Sequence, residues 1–145
     1  LIEAWDRDYL ADQQNVFGRF KTSGAPLTGK TEFDTPDFTK KDAGKPVIPA
    51  DAHIHLASRE NNGGLQILRR GYSYTDGIDP ATGELDAGLF FIAFQTDPAT
   101  HFVVLQRKLG TNDALNEYIK HTSSAVFGCP PGLAAGQTWA DTLFA

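Results

Sequence analysis

One cysteine, Cys129, stands in the 145 residues of this chain. A single thiol closes no internal disulfide and brings no second thiolate to a zinc or iron–sulfur centre, so neither kind of staple holds the fold. Its setting, Gly128-Cys129-Pro130-Pro131-Gly132, reads as a small residue in a bend. Methionine is absent, and the chain opens Leu1-Ile2-Glu3-Ala4-Trp5 with neither a basic-then-apolar leader nor a cleavage site. That opening is what a processed or truncated product shows, and a missing N-terminal part is expected. Long hydrophobic runs are lacking too, since Leu89 to Phe94 falls far short of the roughly 20 residues a spanning helix needs. Positive charge is scarce. The formal charge is -5, and basic residues are scattered apart from Lys40-Lys41 and Arg69-Arg70. Such a surface has no general attraction for polyphosphate or anionic lipid, so neither nucleic acid nor membrane is an expected partner.

What is present is a length suited to one domain and ten phenylalanines for an aromatic interior. Ile2 to Phe20 has large and amphipathic side chains, no proline and the early carboxylates Asp6, Asp8 and Asp12, which predicts a helix. Lys21 to Ala50 carries four prolines and no sustained period, a long loop of the kind that usually has a function. Ala52 to Ala57 alternates with period two, predicting a strand with Ile54 and Leu56 on one face and His53 and His55 on the other. After the turn Glu60 to Gly64, Leu65 to Tyr74 reads as a second extended segment, a hairpin partner or neighbour for the first. A loop, Thr75 to Gly88, leads to Leu89 to Gln95, whose apolar run suits a strand buried on both sides. Asp97-Pro98 predicts a capped helix to about Leu109, then a short helix starts at Asn112 or Asp113. The tail from Val126 is turn-rich and weakly helical around Trp139 to Phe144. Helices with an antiparallel hairpin and no internal repeat give an α+β domain of ferredoxin-like type.

Among side chains able to carry chemistry, the four histidines come first, because imidazole binds metals and moves protons near neutral pH. His53 and His55, projecting together from a strand, could chelate zinc or copper, one of them could ligate a haem, or both could simply be exposed. No third histidine or paired cysteine lies nearby in sequence to complete a tetrahedral zinc site. His101 and His121 stand alone in helical contexts and read as surface residues. In Arg69-Arg70 a strand sends the two guanidinium groups to opposite faces, so if one is solvated the other enters the interior or a cleft, where it needs an anion. Tyr72 and Tyr74 share Arg70's face and read as core, stacking or radical-carrying residues. No nucleophile elbow, phosphate-loop spacing or fixed pair of carboxylates is visible, so hydrolase and phosphotransferase chemistry has no support.

Five blocks in order carry a more specific likeness: Gly18-Arg19-Phe20-Lys21-Thr22-Ser23-Gly24-Ala25-Pro26-Leu27, Asp51-Ala52-His53-Ile54, Ile67-Leu68-Arg69-Arg70-Gly71-Tyr72-Ser73-Tyr74, Asp86-Ala87-Gly88-Leu89-Phe90-Phe91 and Pro130-Pro131-Gly132. Together they resemble the second half of dye-decolourising (DyP-type) haem peroxidases, closest to the bacterial, twin-arginine-exported branch, and the likeness covers essentially the whole chain. It implies one haem-binding domain over residues 1–145, the C-terminal half of a dimeric α+β barrel-type fold. It also implies a haem b with His53 on its iron, Arg69 as the distal catalytic arginine, and Leu89 and Phe91 lining the distal pocket. Arg19, Arg70 and His55 are the expected haem contacts, and Asp113 or Glu117 the carboxylate behind the proximal imidazole. At position 55 the family more often has arginine, which puts the propionate contact there in doubt. The family's distal aspartate, in a Gly-x-x-Asp-Gly block, is not in this chain, so the implied activity depends on an N-terminal half supplied elsewhere.

The implied partners are hydrogen peroxide, an organic reductant such as a dye or phenol, that N-terminal half, and further copies in a homo-oligomer. Tyr72, Tyr74 and Trp139 are candidate surface donors. Export to the periplasm or beyond is implied by the likeness alone. Two other readings stand beside the peroxidase: a protein that binds haem and releases its iron in the manner of a deferrochelatase, and a cofactor-free fragment.

Overall fold

The computed structural model describes residues 2–143, so the part of the tail helix expected at Phe144 lies outside the described residues. In chain order the elements are α1 (Ile2–Arg7), α2 (Leu10–Phe17), the short strands β1 (Lys41–Asp42) and β2 (Lys45–Pro46), α3 (His53–Ala57), the long strands β3 (Leu68–Ile78) and β4 (Leu85–Phe94), α4 (Phe102–Asn112) and α5 (Trp139–Leu143). The fold is α+β. Each sheet among the described residues is an antiparallel pair, β1 with β2 and β3 with β4, and the β3–β4–α4 succession is the ββα portion of a ferredoxin-like unit.

The helix expected from Ile2 to Phe20 is two helices with a break at Asp8 and Tyr9. The break is held by Gln13, whose buried side-chain amide donates to the carbonyls of Trp5 at 2.6 Å and Asp8 at 3.5 Å while its oxygen accepts from Lys21 Nζ at 2.8 Å. A buried amide satisfied on both sides fixes the angle between α1 and α2 without leaving an unpaired polar group. α2 ends at Gly18, in the left-handed region at φ 74°. The Gly18 amide bonds the Asn15 carbonyl at 3.2 Å and the Arg19 amide the Gln14 carbonyl at 3.1 Å, the paired closing bonds of a helix stopped by glycine.

The segment expected as a strand at Ala52 to Ala57 is a helical turn, α3. The buried residues here are Ala52 and Leu56, four apart, which is the spacing of one helix face. Six residues of alternation cannot separate that pattern from a strand. The turn is set by tertiary packing, with the Leu56 amide bonded to the Ala52 carbonyl at 3.1 Å. Residues two apart on a helix point about 200° from each other. His53 and His55 therefore leave different sides of α3, and the shared face expected for them is not found.

The hairpin is also different from the one expected. Leu68 pairs with Phe94, Arg70 with Ile92, Tyr72 with Phe90 and Tyr74 with Gly88, so the partner of β3 is β4 and not the segment at 52–57. β3 runs on to Ile78, which shortens the loop expected from Thr75 to Gly88 to the turn around Asp79-Pro80, where Asp79 Oδ1 accepts from the Ala81 amide at 2.8 Å. The burial expected on both sides of the apolar run is not found: Leu89 is 61% exposed and Phe90 62%. A two-stranded ribbon offers two faces, and α4 meets one of them through Phe102, stacked on Phe91 at 6.3 Å. For the same reason both Arg69 and Arg70 are exposed, and neither enters an interior as expected.

The core sits instead where α2, α3 and α4 meet the long loop. Ala25, Pro26, Ile48, Ala52, Leu56 and Leu105 are buried there, and Asp113 is the buried acid among them. Burying an aliphatic side chain stabilises by about 1.5–3 kcal/mol, so this small cluster positions α3 more firmly than the ribbon is positioned. Ile48 is 2% exposed while Phe33, on the same loop, stands almost wholly in solvent. Ile48→Ala is expected to lower the unfolding free energy by about 2–5 kcal/mol and Phe33→Ala to change it by less than about 0.5 kcal/mol in urea titrations of the same preparation.

Candidate functional site

The site is built on the first residue of α3. His53 Nδ1 lies 2.6 Å from Asp113 Oδ2, across sixty positions of sequence. The imidazole side chain is 30% exposed and the carboxylate side chain 3%. An ionised carboxylate only accepts, so Nδ1 carries the proton and donates, and Nε2 is left with its lone pair. The described residues supply no hydrogen bond to Nε2.

Asp113 is itself held from the other side. Its Oδ1 accepts from the Leu115 amide at 2.9 Å, capping the 3-10 turn Ala114–Glu117, and its own amide donates to the Leu109 carbonyl at 3.0 Å. The expected helix start at Asn112 or Asp113 is thus a cap on a single turn, with the carboxylate turned inward. The Ala114 amide donates to the Asp51 carbonyl at 3.1 Å, so a backbone bond runs beside the side-chain bond and ties residues 51–53 to 113–114 twice. Glu117, the other acid weighed for this position, is exposed at the far end of the turn.

A row of aromatic rings leads away from one edge of the imidazole. Phe17 meets the His53 ring edge-on at 6.4 Å, Trp5 meets Phe17 at 5.6 Å, and Tyr118 meets Trp5 at 4.9 Å. None of Phe17, Trp5 and Gln13 carries a local sequence signal for a site, because they reach it only through the break between α1 and α2. A hollow of about 370 Å³, lined by Trp5, Gln13, Phe17, Arg19, Phe20 and Lys21, lies beyond Phe17.

His55 faces the long loop, with Nδ1 2.9 Å from the Ala50 carbonyl and its ring 4.8 Å from that of Phe38. Arg19 supports the same loop, donating from Nη1 to the carbonyls of Gly24 at 2.6 Å and Glu32 at 3.1 Å. On the hairpin, alternation puts Arg69, Gly71 and Ser73 on one face with Leu89, Phe91 and Ala93, and puts Arg70, Tyr72 and Tyr74 on the other with Phe90 and Ile92. Arg69 therefore shares a face with Leu89 and Phe91. Leu89 lies over Gly71, with its Cδ1 3.1 Å from where a Cβ would stand, so the glycine leaves room for the leucine beside the arginine. No carboxylate pairs with Arg69 or Arg70 among the described residues, and no group of three or more metal-ligating side chains occurs there. His101 and His121 stay apart from the site, bonded to Asp97 and Thr100 and to Gln106.

An imidazole held by a buried carboxylate leaves its second nitrogen free to act as a donor, and the hairpin separately groups Arg69 with Leu89 and Phe91 on one face. Comparison with known proteins gives the family. The sequence pattern described as "Dyp-type peroxidase, C-terminal" matches residues 1–134, and the chain belongs to the DyP-type peroxidase family.

The dye-decolorizing peroxidase of Thermobifida fusca is 46% identical over 132 residues, covering 90% of this chain and 30% of that protein. A deferrochelatase of Yersinia pestis is 46% identical over 136 residues, covering 92% of this chain and 30% of that protein. Among solved structures, a DyP-type peroxidase from Streptomyces coelicolor superposes with TM-score 0.78 at 42% identity, over 83% of this chain and 33% of that one. Ferric DtpA from Streptomyces lividans gives TM-score 0.78 at 42% identity, over 83% and 34%. The chain thus spans about a third of the length of these relatives.

Tyr118 shows how firmly the surround is tied. A hydrogen bond to Asp8, then partial desolvation and the Asp8 charge, push its phenol up to about 12. A phenol whose folded pKa is raised keeps its stabilising proton below the unfolded value near 10 and loses that contribution as pH climbs from there to about 12. Ultraviolet titration is expected to show one of the four tyrosines ionising near 12, and Asp8→Asn to return it toward 10.

Proposed function

We propose that this chain is the haem-ligating C-terminal half of an exported DyP-type peroxidase, with haem b held through His53 and hydrogen peroxide and a bulky organic donor as substrates. The observation that carries the reading is the 2.6 Å bond from His53 to Asp113. It fits an iron porphyrin on chemical grounds, since it fixes the ring's orientation and leaves one imidazole nitrogen as a donor on a partly exposed ring. Haem, when bound, supplies the redox centre at which peroxide is reduced and the organic donor oxidised.

The chain's own residues do the rest. Asp113 fixes the tautomer and the plane of the His53 ring. Arg69 brings a permanent positive charge to the face it shares with Leu89 and Phe91, where it would stabilise negative charge gathering on the departing oxygen of the peroxide. A guanidinium has no lone pair to offer at ordinary pH, so Arg69 does not take the peroxide's proton. That task falls to an acid outside this chain, which spans about a third of its relatives' length, and the exposed apolar faces of β3 and β4 are consistent with cover from such a part. Arg19, Arg70 and His55 remain proposed haem contacts; the loop bonds of Arg19 and His55, and the departure of Arg70 from the face opposite Arg69, set the limits on how they make them.

A second reading is favoured by one observation, namely relatives at the same 46% identity that are named deferrochelatases. The two readings separate on the reconstituted protein. Peroxide-dependent dye oxidation supports the first, whereas metal-free porphyrin appearing without peroxide supports the second and sinks the first.

His53→Ala is expected to abolish nitrogen-ligated haem in the visible spectrum, and retention of such a spectrum would overturn the assignment. Arg69→Leu is expected to keep haem bound and to slow the stopped-flow reaction with peroxide by about 10²–10³-fold. Asp113→Asn is expected to cost about 10–100-fold in the same assay with most haem retained.

A further inference from the structure

Gly18 is the only glycine among the described residues whose missing Cβ falls within 3.0 Å of atoms from two different buried or half-buried aliphatic side chains. A Cβ there would collide with Ile54 Cγ2, stand 3.0 Å from Ile48 Cγ2 and stand 3.3 Å from Ala52 Cβ. Ala52 and Ile54 are the two neighbours of His53. Phe17, the neighbour of Gly18, meets the His53 ring edge-on. The end of α2 thus grips the start of α3 over two consecutive residues, with nothing between the backbone at 18 and the side chains at 52 and 54.

Both partners are tied to their surroundings, so a shift of either disturbs those ties. Gly18 is anchored through its amide to Gln14 and Asn15, and its carbonyl accepts from the Leu27 amide at 3.1 Å. On the other side, Asp51 is tied to Ala114 by the backbone bond that runs beside His53 and Asp113. A methyl group at 18 needs ordinary van der Waals separation of about 3.5–4.0 Å, so α3 must move away by a large part of an ångström or more. The hydrogen bond from His53 to Asp113 is short, and a displacement of that size lengthens or bends it beyond useful geometry.

We infer that Gly18 is a positioning residue for His53: by lacking a side chain it sets the approach of α2 to α3, and so fixes the imidazole against Asp113. The functional weight of this inference rests on His53 being the haem ligand, but the geometry can be tested without cofactor.

The experiment is ¹⁵N-histidine labelling of the cofactor-free protein, following the His53 Nδ1–H resonance assigned by its loss in His53→Ala. In the parent that proton is expected to be downfield and slow to exchange. Gly18→Ala is expected to shift it upfield and speed its exchange while the other histidines stay in place. Gly83→Ala serves as the control, because Gly83 has a similar φ of 71° but nothing within 4 Å of its Cβ position. It loses stability through backbone strain alone and is expected to leave the resonance unmoved. Gly18→Ala/Ile54→Ala removes the colliding methyl and is expected to bring the resonance back, and it provides the comparison if the single variant does not fold. An unmoved resonance in Gly18→Ala overturns the inference, as does a shift that Gly83→Ala reproduces or that the double variant fails to reverse. The ligand assignment stands or falls separately, on the haem spectrum of His53→Ala.

Discussion

Everything that distinguishes this chain chemically depends on a carboxylate that is kept almost wholly out of water beside an imidazole that is not. Asp113 spends one oxygen on the Leu115 amide and the other on His53, so neither lone-pair set is left unsatisfied at a buried position. Because the carboxylate is fixed from the backbone side, it dictates the ring and not the reverse. The consequence is a histidine with one nitrogen committed and one available, held on a short helix whose own five residues could not hold it.

The rest of the packing serves that pair. Gln13 joins α1 to α2, Gly18 brings α2 against α3, and the Asp51–Ala114 bond closes α3 on the turn after α4. None of these three links involves a group that titrates near neutrality. The hairpin is built on a different principle. Its strands satisfy each other's backbone but bury little, and its two faces sort the side chains into an Arg69, Leu89, Phe91 set and an Arg70, Tyr72, Phe90 set. Such a ribbon is marginal alone and calls for cover on its apolar faces.

Local signals made several features legible before any coordinates. Asp79 and Asp97, each beside a proline, were readable as turn residues, and both carboxylates bond the amides two positions on; but the helix expected from Pro98 starts only at Phe102, behind His101, so Asp97 closes a turn and does not cap α4. The alternation across Arg69-Arg70-Gly71-Tyr72 gave the correct division of faces because β3 is a true strand, where period two is a matter of backbone geometry. The same argument failed at Ala52 to Ala57. Six residues of alternating pattern were overruled by a helical spacing of buried positions, and with it went the shared face of His53 and His55.

The sequence by itself determined the residue types, the faces of the long strands, the family likeness and the identity of His53 as the histidine of interest, since these reside in nearest neighbours and in blocks read in order. The tertiary structure alone decided that Asp113 and not Glu117 meets His53, that Phe17 and Gly18 flank it, and that the apolar run of β4 lies open. The reason is physical. A hydrogen bond of 2.6 Å between positions sixty apart is set by how three helices and a loop close around a handful of buried aliphatic side chains, and no periodicity within one segment records that closure.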